Sequence, residues 1–395
     1  MELRLQLVAR LIEANGRQAN IRLELTMTKQ VLRYLQIQSW AALLFLLVVF
    51  PASGFAQNAP AKPTDPIVGI VEALKTHDVV ALGEGRHGNE QSAAFRDRLY
   101  RDPRFQAAIN DIVVESGNGR YQAMMDRYIA GEIVPEKELR KAWTETTQPH
   151  DVWDKDIYAD MFRTIREINQ KLPQAKQLRV LLGDTPYTWD PANARAPMNR
   201  SDDFTAELVQ REVIAKKRKA LMIFGDMHYL RRNQIPTTVA SPLSRGTIVS
   251  LLEKAGVKVF AVWTSAPTEG QDLTALQPDI ASWPQPSLAL IKDTTLGRAP
   301  FVFYVPTGSG YIRYRGPDGP VTVDIADAIG GTMQEQADAI LYLAPKSELT
   351  YAKLSESLCA DPEHVEMRLA RMGGDTFWSR CSERLNGLRS DTDHN

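Results

Sequence analysis

The chain has 395 residues, with 47 basic and 48 acidic side chains and a formal net charge of -1. Charged residues make up 24% and hydrophobic residues 44%, which excludes a disordered chain and supplies a sizeable core. No basic surplus points to nucleic acid, and no run of like charge points to a solvating tail.

Ala41 to Phe50 is an uninterrupted apolar run. It is about half the ~20 residues that span a bilayer and has the length of a signal-peptide core. Lys29 and Arg33 precede it, and Gly54 and Ala56 supply the small residues of a cleavage site. Cleavage is expected after Ala56, with Met27 as the true start. Residues 1–56 are then an N-terminal extension and signal peptide. The mature protein is expected to be exported, periplasmic or secreted, with no stable membrane insertion after cleavage. No cysteine stands at the cleavage site to take a lipid.

Gln57 to Pro66 is rich in Pro and Ala and reads as a linker. Ile67 to Lys75 has helical spacing, and Val79 to Leu82 is a short buried strand. Asn89 to Tyr100 favours helix, and Asp111 to Val114 is a second strand. Arg120 to Ala130, Glu136 to Trp143 and Ile157 to Lys171 read as helices. Arg179 to Leu182 is a third strand, Asp203 to Lys217 a charged helix, and Ala220 to Phe224 a fourth strand. Thr247 to Lys254 is a helix, and Val257 to Trp263 a fifth strand. Short apolar strands between helices predict an α/β fold, a mainly parallel sheet with crossover helices, over residues 67–332. Phe301 to Tyr304 and Tyr311 to Tyr314 could pair as strands in a later β-containing segment. Residues 333–395 read as a C-terminal helical cap. It contains Cys359 and Cys381, the chain's two cysteines. An oxidising compartment favours a disulfide between them over two buried thiols.

In open parallel sheets, ligands bind beyond the carboxyl ends of the strands. The first strand runs into Gly83-Glu84-Gly85-Arg86-His87-Gly88-Asn89-Glu90, the second into Glu115, the third into Gly183-Asp184, and the fourth into Gly225-Asp226-Met227-His228. Acidic and imidazole groups therefore gather on one rim. A carboxylate beside an imidazole fixes its tautomer and raises its basicity. His87 with Glu84 thus suits proton transfer from water, with Glu115 and His228 arriving from neighbouring strands. Arg96, on the next helix, could anchor a substrate carboxylate or stabilise an oxyanion. Arg86, Glu90 and Asp184 are candidate substrate-binding residues. Glu84, His87, Glu115 and His228 equally suit Zn, Mn or Fe, so the pattern leaves a metal-free site and a metal site both open. There is no Gly-x-Ser-x-Gly elbow, P-loop or dinucleotide fingerprint.

The stretch Leu82 to Glu90 resembles the Gly-Glu-x-x-His-Gly-x-x-Glu signature of erythromycin-esterase-like proteins, with Gly85-Arg86 where a small pair is frequent and Glu90 one position ahead of the signature's last Glu. Arg96, Glu115 and His228 match that family's later arginine, acidic and histidine positions. Gly225 to His228 is similar to the Gly-x-x-His element of Tiki-type metalloproteases, and the superfamily includes haem-binding iron-uptake proteins. The resemblance spans Val79 to Trp263. It implies hydrolysis of an ester or related bond in a small-molecule substrate, with His87 as general base and Glu84 orienting it. That reading requires no cofactor. Its alternatives are a haem- or metal-binding protein and a metal-dependent peptidase. No partner protein can be inferred.

Overall fold

The computed structural model describes residues 59–190, 202–232, 245–265, 272–305, 311–316, 319–324, 328–373 and 376–392. The expected leader, its cleavage point and the first residues of the linker lie outside them. Among the described residues no helix is long and apolar enough to cross a membrane.

The main sheet is built from β1 (Val79–Gly83), β2 (Asp111–Asn118), β3 (Arg179–Asp184), β4 (Ala220–Phe224), β5 (Val259–Ser265), β6 (Ser287–Leu290) and β9 (Ala339–Tyr342). Its strand order is β3-β2-β4-β1-β5-β9-β6, parallel except for β6 against β9. Each of the first five strands has an apolar stretch at its centre because both faces of the sheet are covered there. Val80, Leu82, Ile112 and Leu221 pack on one face with α1 (Pro66–Thr76), α2 (Glu90–Arg101) and α3 (Asp156–Asn169). Val79, Ala81, Val113 and Met222 pack on the other with α4 (Asp202–Val209) and α5 (Ile248–Lys254). The chain runs outward through β2 and β3, then returns to place β4 between β2 and β1. The carboxyl ends of β2, β4 and β1 therefore adjoin, at a topological switch point where such sheets bind ligands.

Some expectations need correction. Phe301–Phe303 is a 3-10 turn after Pro300, with Phe301 buried in the core. The partner of β7 (Tyr311–Gly316) is β8 (Gly319–Asp324), whose Pro320 argues against a strand in the sequence. The helix expected over 136–143 is split into Glu136–Leu139 and Lys141–Thr144. The one expected over 203–217 gives way to a π-helical turn at Gln210–Ile214. A helical cap starting at 333 would take in β9, which belongs to the main sheet. A run of four apolar residues cannot be assigned to strand or helix by periodicity. The C-terminal helices are α6 (Glu356–Cys359), α7 (Pro362–Met372) and α8 (Thr376–Thr392), and a Cys359–Cys381 disulfide joins α6 to α8.

The linker reading also fails from Ala59 onward. Ala61 is buried, with its N–H on Gln277 Oε1 at 2.9 Å and its carbonyl accepting from Gln277 Nε2 at 2.7 Å. Thr64 exchanges backbone hydrogen bonds with Leu288 of β6 at 2.8 and 3.0 Å. Proline favours extended backbone, which suits an edge position as well as a linker.

Candidate active site

The loop after β1 is set by two glycines. A Cβ on Gly83 would lie 1.9 Å from Asp226 Oδ1, so only glycine admits that carboxylate. Gly88 has φ of 86°, a left-handed conformation that side chains disfavour. Asn89 then caps α2, its Oδ1 accepting from Ser92 N at 2.7 Å. These turns swing Glu84 and His87 back over the sheet rim.

Glu84 is buried and held on both oxygens. Its Oε2 meets His87 Nδ1 at 2.8 Å, and its Oε1 accepts from Arg96 Nη2 at 3.1 Å. Arg96 also donates to Ser92 Oγ at 2.8 Å. Burial raises the Glu84 pKa, but Arg96 and His87 outweigh it and hold the carboxyl below its ordinary range. With its pair made and its side chain buried, Arg96 positions Glu84. The oxyanion or substrate role expected for it is not what the geometry provides.

His87 is the open end of this relay. Its side chain is 30% exposed and packs edge-on against Trp153, with centroids 4.7 Å apart. Among the described residues, Nε2 has no hydrogen-bond partner, because the ring's only polar contact is Nδ1 to Glu84. A Cβ placed on Gly225 would lie 3.3 Å from His87 Nε2 and 3.6 Å from Glu115 Oε2, which puts both groups over one point of the rim. Burial lowers the His87 pKa, but the fields of Glu115 and Glu84 together raise it above its ordinary value.

Glu115 lies within β2, where the register shifts between Val114 and Asn118 and turns its side chain to the rim. Its Oε2 accepts from Gly225 N at 2.7 Å and its Oε1 meets His228 Nε2 at 3.1 Å. His228 Nδ1 is bonded to Asp202 at the start of α4. Despite burial, Glu115 and Asp202 push the His228 pKa up to about 9. Despite burial, His228 and His87 hold Glu115 down at about 2. The pair is therefore an imidazolium between two carboxylates at neutral pH.

The structure thus brings Glu84, His87, Arg96, Glu115 and His228 into one cluster. The three substrate-binding candidates lie elsewhere. The Arg86 guanidinium sits over the Tyr351 ring, 4.8 Å from its centroid. Glu90 is exposed on the first turn of α2. Asp184 accepts from Thr147 N and Oγ1, both at 2.6 Å, and so anchors the 144–154 loop. Asp226 braces the rim, accepting from Gly85 N and Thr264 N, both at 2.7 Å. Burial outweighs those donors and pushes its carboxyl up to about 7.

Sequence reasoning missed Asp202 as the partner of His228, and Trp153 and Tyr158 as the wall beside His87. Tyr158 Oη accepts from Gly88 N at 2.9 Å. Nothing in the spacing ties Asp202 to a histidine across the following strand. The four proposed metal donors do not fit a metal as arranged. Both His228 nitrogens and His87 Nδ1 are engaged by carboxylates, and among the described residues no three His, Cys, Asp or Glu converge on a common point.

No family model and no curated protein matches the chain. Similar solved structures include a succinoglycan biosynthesis protein, at 11% identity and a TM-score of 0.47, covering 72% of this chain and 94% of that one. A Bacillus cereus protein gives 12% identity and a TM-score of 0.46, covering 75% and 97%. A mutant of the erythromycin esterase EreC in its open conformation gives 12% and 0.44, covering 73% and 94%. Likeness at this level assigns no activity to the chain.

Proposed function

We propose that the chain is an exported hydrolase that uses His87 to activate water against an ester or related bond in a small molecule. One observation carries this reading. The buried Glu84 fixes Nδ1 of His87, and the partly exposed ring leaves Nε2 without a protein partner beside Glu115. In the neutral ring, Glu84 holds the proton on Nδ1, so the Nε2 lone pair faces the reactant. Nε2 takes a proton from water, and the resulting hydroxide oxygen attacks the carbonyl carbon. The imidazolium then returns the proton to the leaving alkoxide as the C–O bond breaks. Glu84, locked by Arg96, stabilises the imidazolium between those steps. The His228 cation supplies fixed positive charge near the site. The Cys359–Cys381 disulfide supports an oxidising compartment, and with it export.

A panel of small esters tests the proposal. His87→Ala is expected to abolish turnover while circular dichroism stays unchanged, and undiminished turnover would rule out the role of His87. Because both His228 nitrogens and His87 Nδ1 are committed to carboxylates, turnover is expected to survive prolonged chelation. Loss on chelation with recovery on Zn or Mn would replace this mechanism with a metal-dependent one.

A further inference from the structure

A cavity of about 490 Å³ lies between the start of α3, the segment 352–354 and α8. Its charged lining is Lys155, Lys353, Arg380 and Arg384 against Asp151 and Glu383. Only Arg380 among these cations forms an ion pair, its Nη1 lying 2.8 Å from Asp151 Oδ2, while Lys155 feels Asp151, Asp154 and Glu84 from farther away. The Lys155 ammonium donates to Val152 O at 2.8 Å, and Arg384 Nε to Leu354 O at 3.2 Å. Carbonyl oxygens orient these groups without cancelling their charge. Among the described residues, no carboxylate forms an ion pair with Lys155, Lys353 or Arg384, and Glu383, the second lining carboxylate, is exposed. Converging cations beside low-dielectric walls focus a positive potential into the cavity.

The cavity also adjoins the candidate active site. The Lys155 stem packs against Gly88, with its Cδ and Cε 2.9 Å from where a Cβ on that glycine would sit. Ala352, another lining residue, donates its N–H to Gly88 O at 2.8 Å. Gly88 follows His87 directly, so two walls of the cavity touch the loop that carries the proposed base.

We propose that this cavity binds the carboxylate or phosphate group of a small anionic ligand, so that the substrate of the site is an ester bearing such a group. The second half rests on the hydrolytic reading, and the first does not. An oxyanion matches the chemistry of the cavity. It accepts charge-assisted hydrogen bonds from ammonium and guanidinium groups and relieves their mutual repulsion.

Calorimetry on the full chain at low ionic strength, with inorganic phosphate and with succinate as probes, tests the cavity. Wild type is expected to bind at least one probe. Lys353→Glu with Arg384→Glu should weaken that binding by about tenfold or more, while Lys353→Arg with Arg384→Lys retains it. Both positions reach solvent, and an unchanged thermal midpoint would show that the fold survives. Equal affinity in wild type and the charge-reversed variant, or no binding of either probe, overturns the proposal.

A second measurement compares p-nitrophenyl hemisuccinate with p-nitrophenyl acetate. The wild-type kcat/KM ratio should favour the anionic ester, and charge reversal should collapse it. An unchanged ratio sinks the link to substrate. His87→Ala separates the two readings, since phosphate binding should persist in it. Turnover surviving in that variant would count against the hydrolytic reading alone.

Discussion

The Glu84 carboxylate is buried between a guanidinium and an imidazole, and each partner offsets part of the cost of desolvating it. Arg96→Met keeps the volume but leaves a buried carboxylate without its cation. Such a change is expected to cost about 3–5 kcal/mol in urea unfolding. Turnover should fall as well, because Glu84 would then take up a proton more readily. A loss within error of zero would show that Arg96 does not hold Glu84. His87 acts as a base only when neutral, and its pKa is raised from 6.5. The acidic limb of kcat/KM should therefore lie above that pH, and a limb below it would remove His87 from the mechanism. Glu84 and His87 were legible because they share one short glycine-flanked turn after a strand. Glu115 and His228 were legible as strand-end residues. Asp202 was not, since it reaches His228 from a helix on another part of the chain, and Arg96 was found with the wrong task. Sequence spacing placed its guanidinium near the site, but only the contact with Glu84 shows that the group is already spent.

Among the elements, α7 is the one that holds the wall of the site. Its Arg368 pairs with Asp154 through Nη2 at 2.5 Å, and His364 meets the same carboxylate at 2.8 Å. Arg371 donates to the carbonyls of Thr144, Thr146 and Gln148. These bonds fasten the 144–154 loop, whose Trp153 leans on His87. The disulfide then ties α6 to α8 on either side of α7. Closing a loop over a separation of 22 residues is worth about 3 kcal/mol by chain entropy. Replacing both cysteines by alanine should lower stability by that order, with faster amide exchange in α8 and the 144–154 loop. Exchange unchanged in both segments would show that α7 needs no such brace. The five strands between residues 79 and 265 were legible because each is a compact apolar run bounded by glycine or charge. Strands β6 and β9 were not. Pro284 and Pro286 stand just ahead of the first, and the second lies among residues that suit helix equally well.

For the whole molecule, the buried titrating groups give stability a definite pH dependence. His228 has a folded pKa of about 9 against an ordinary 6.5. Its contribution is complete below pH 6.5 and is lost as pH rises through about 9. The raised Asp226 pKa, about 7 against 3.8, also favours the folded state at low pH and is lost as pH climbs toward 7. Glu115 works in the opposite sense. Its stabilisation is present above 4.5 and disappears as pH falls toward 2. The thermal midpoint is therefore expected to decline from neutral pH to about 9, and His228→Gln should flatten that decline. A midpoint that rises over the same interval would contradict the assignment of His228 as a cation. A different consequence follows from Thr64 lying along Leu288. β6 is the last strand of the sheet, and its residue Leu290 is 62% exposed. A chain trimmed to begin at Pro66 would uncover that ladder beside an apolar side chain. Such a truncate should self-associate edge to edge, growing in light scattering with concentration while the longer chain stays dispersed.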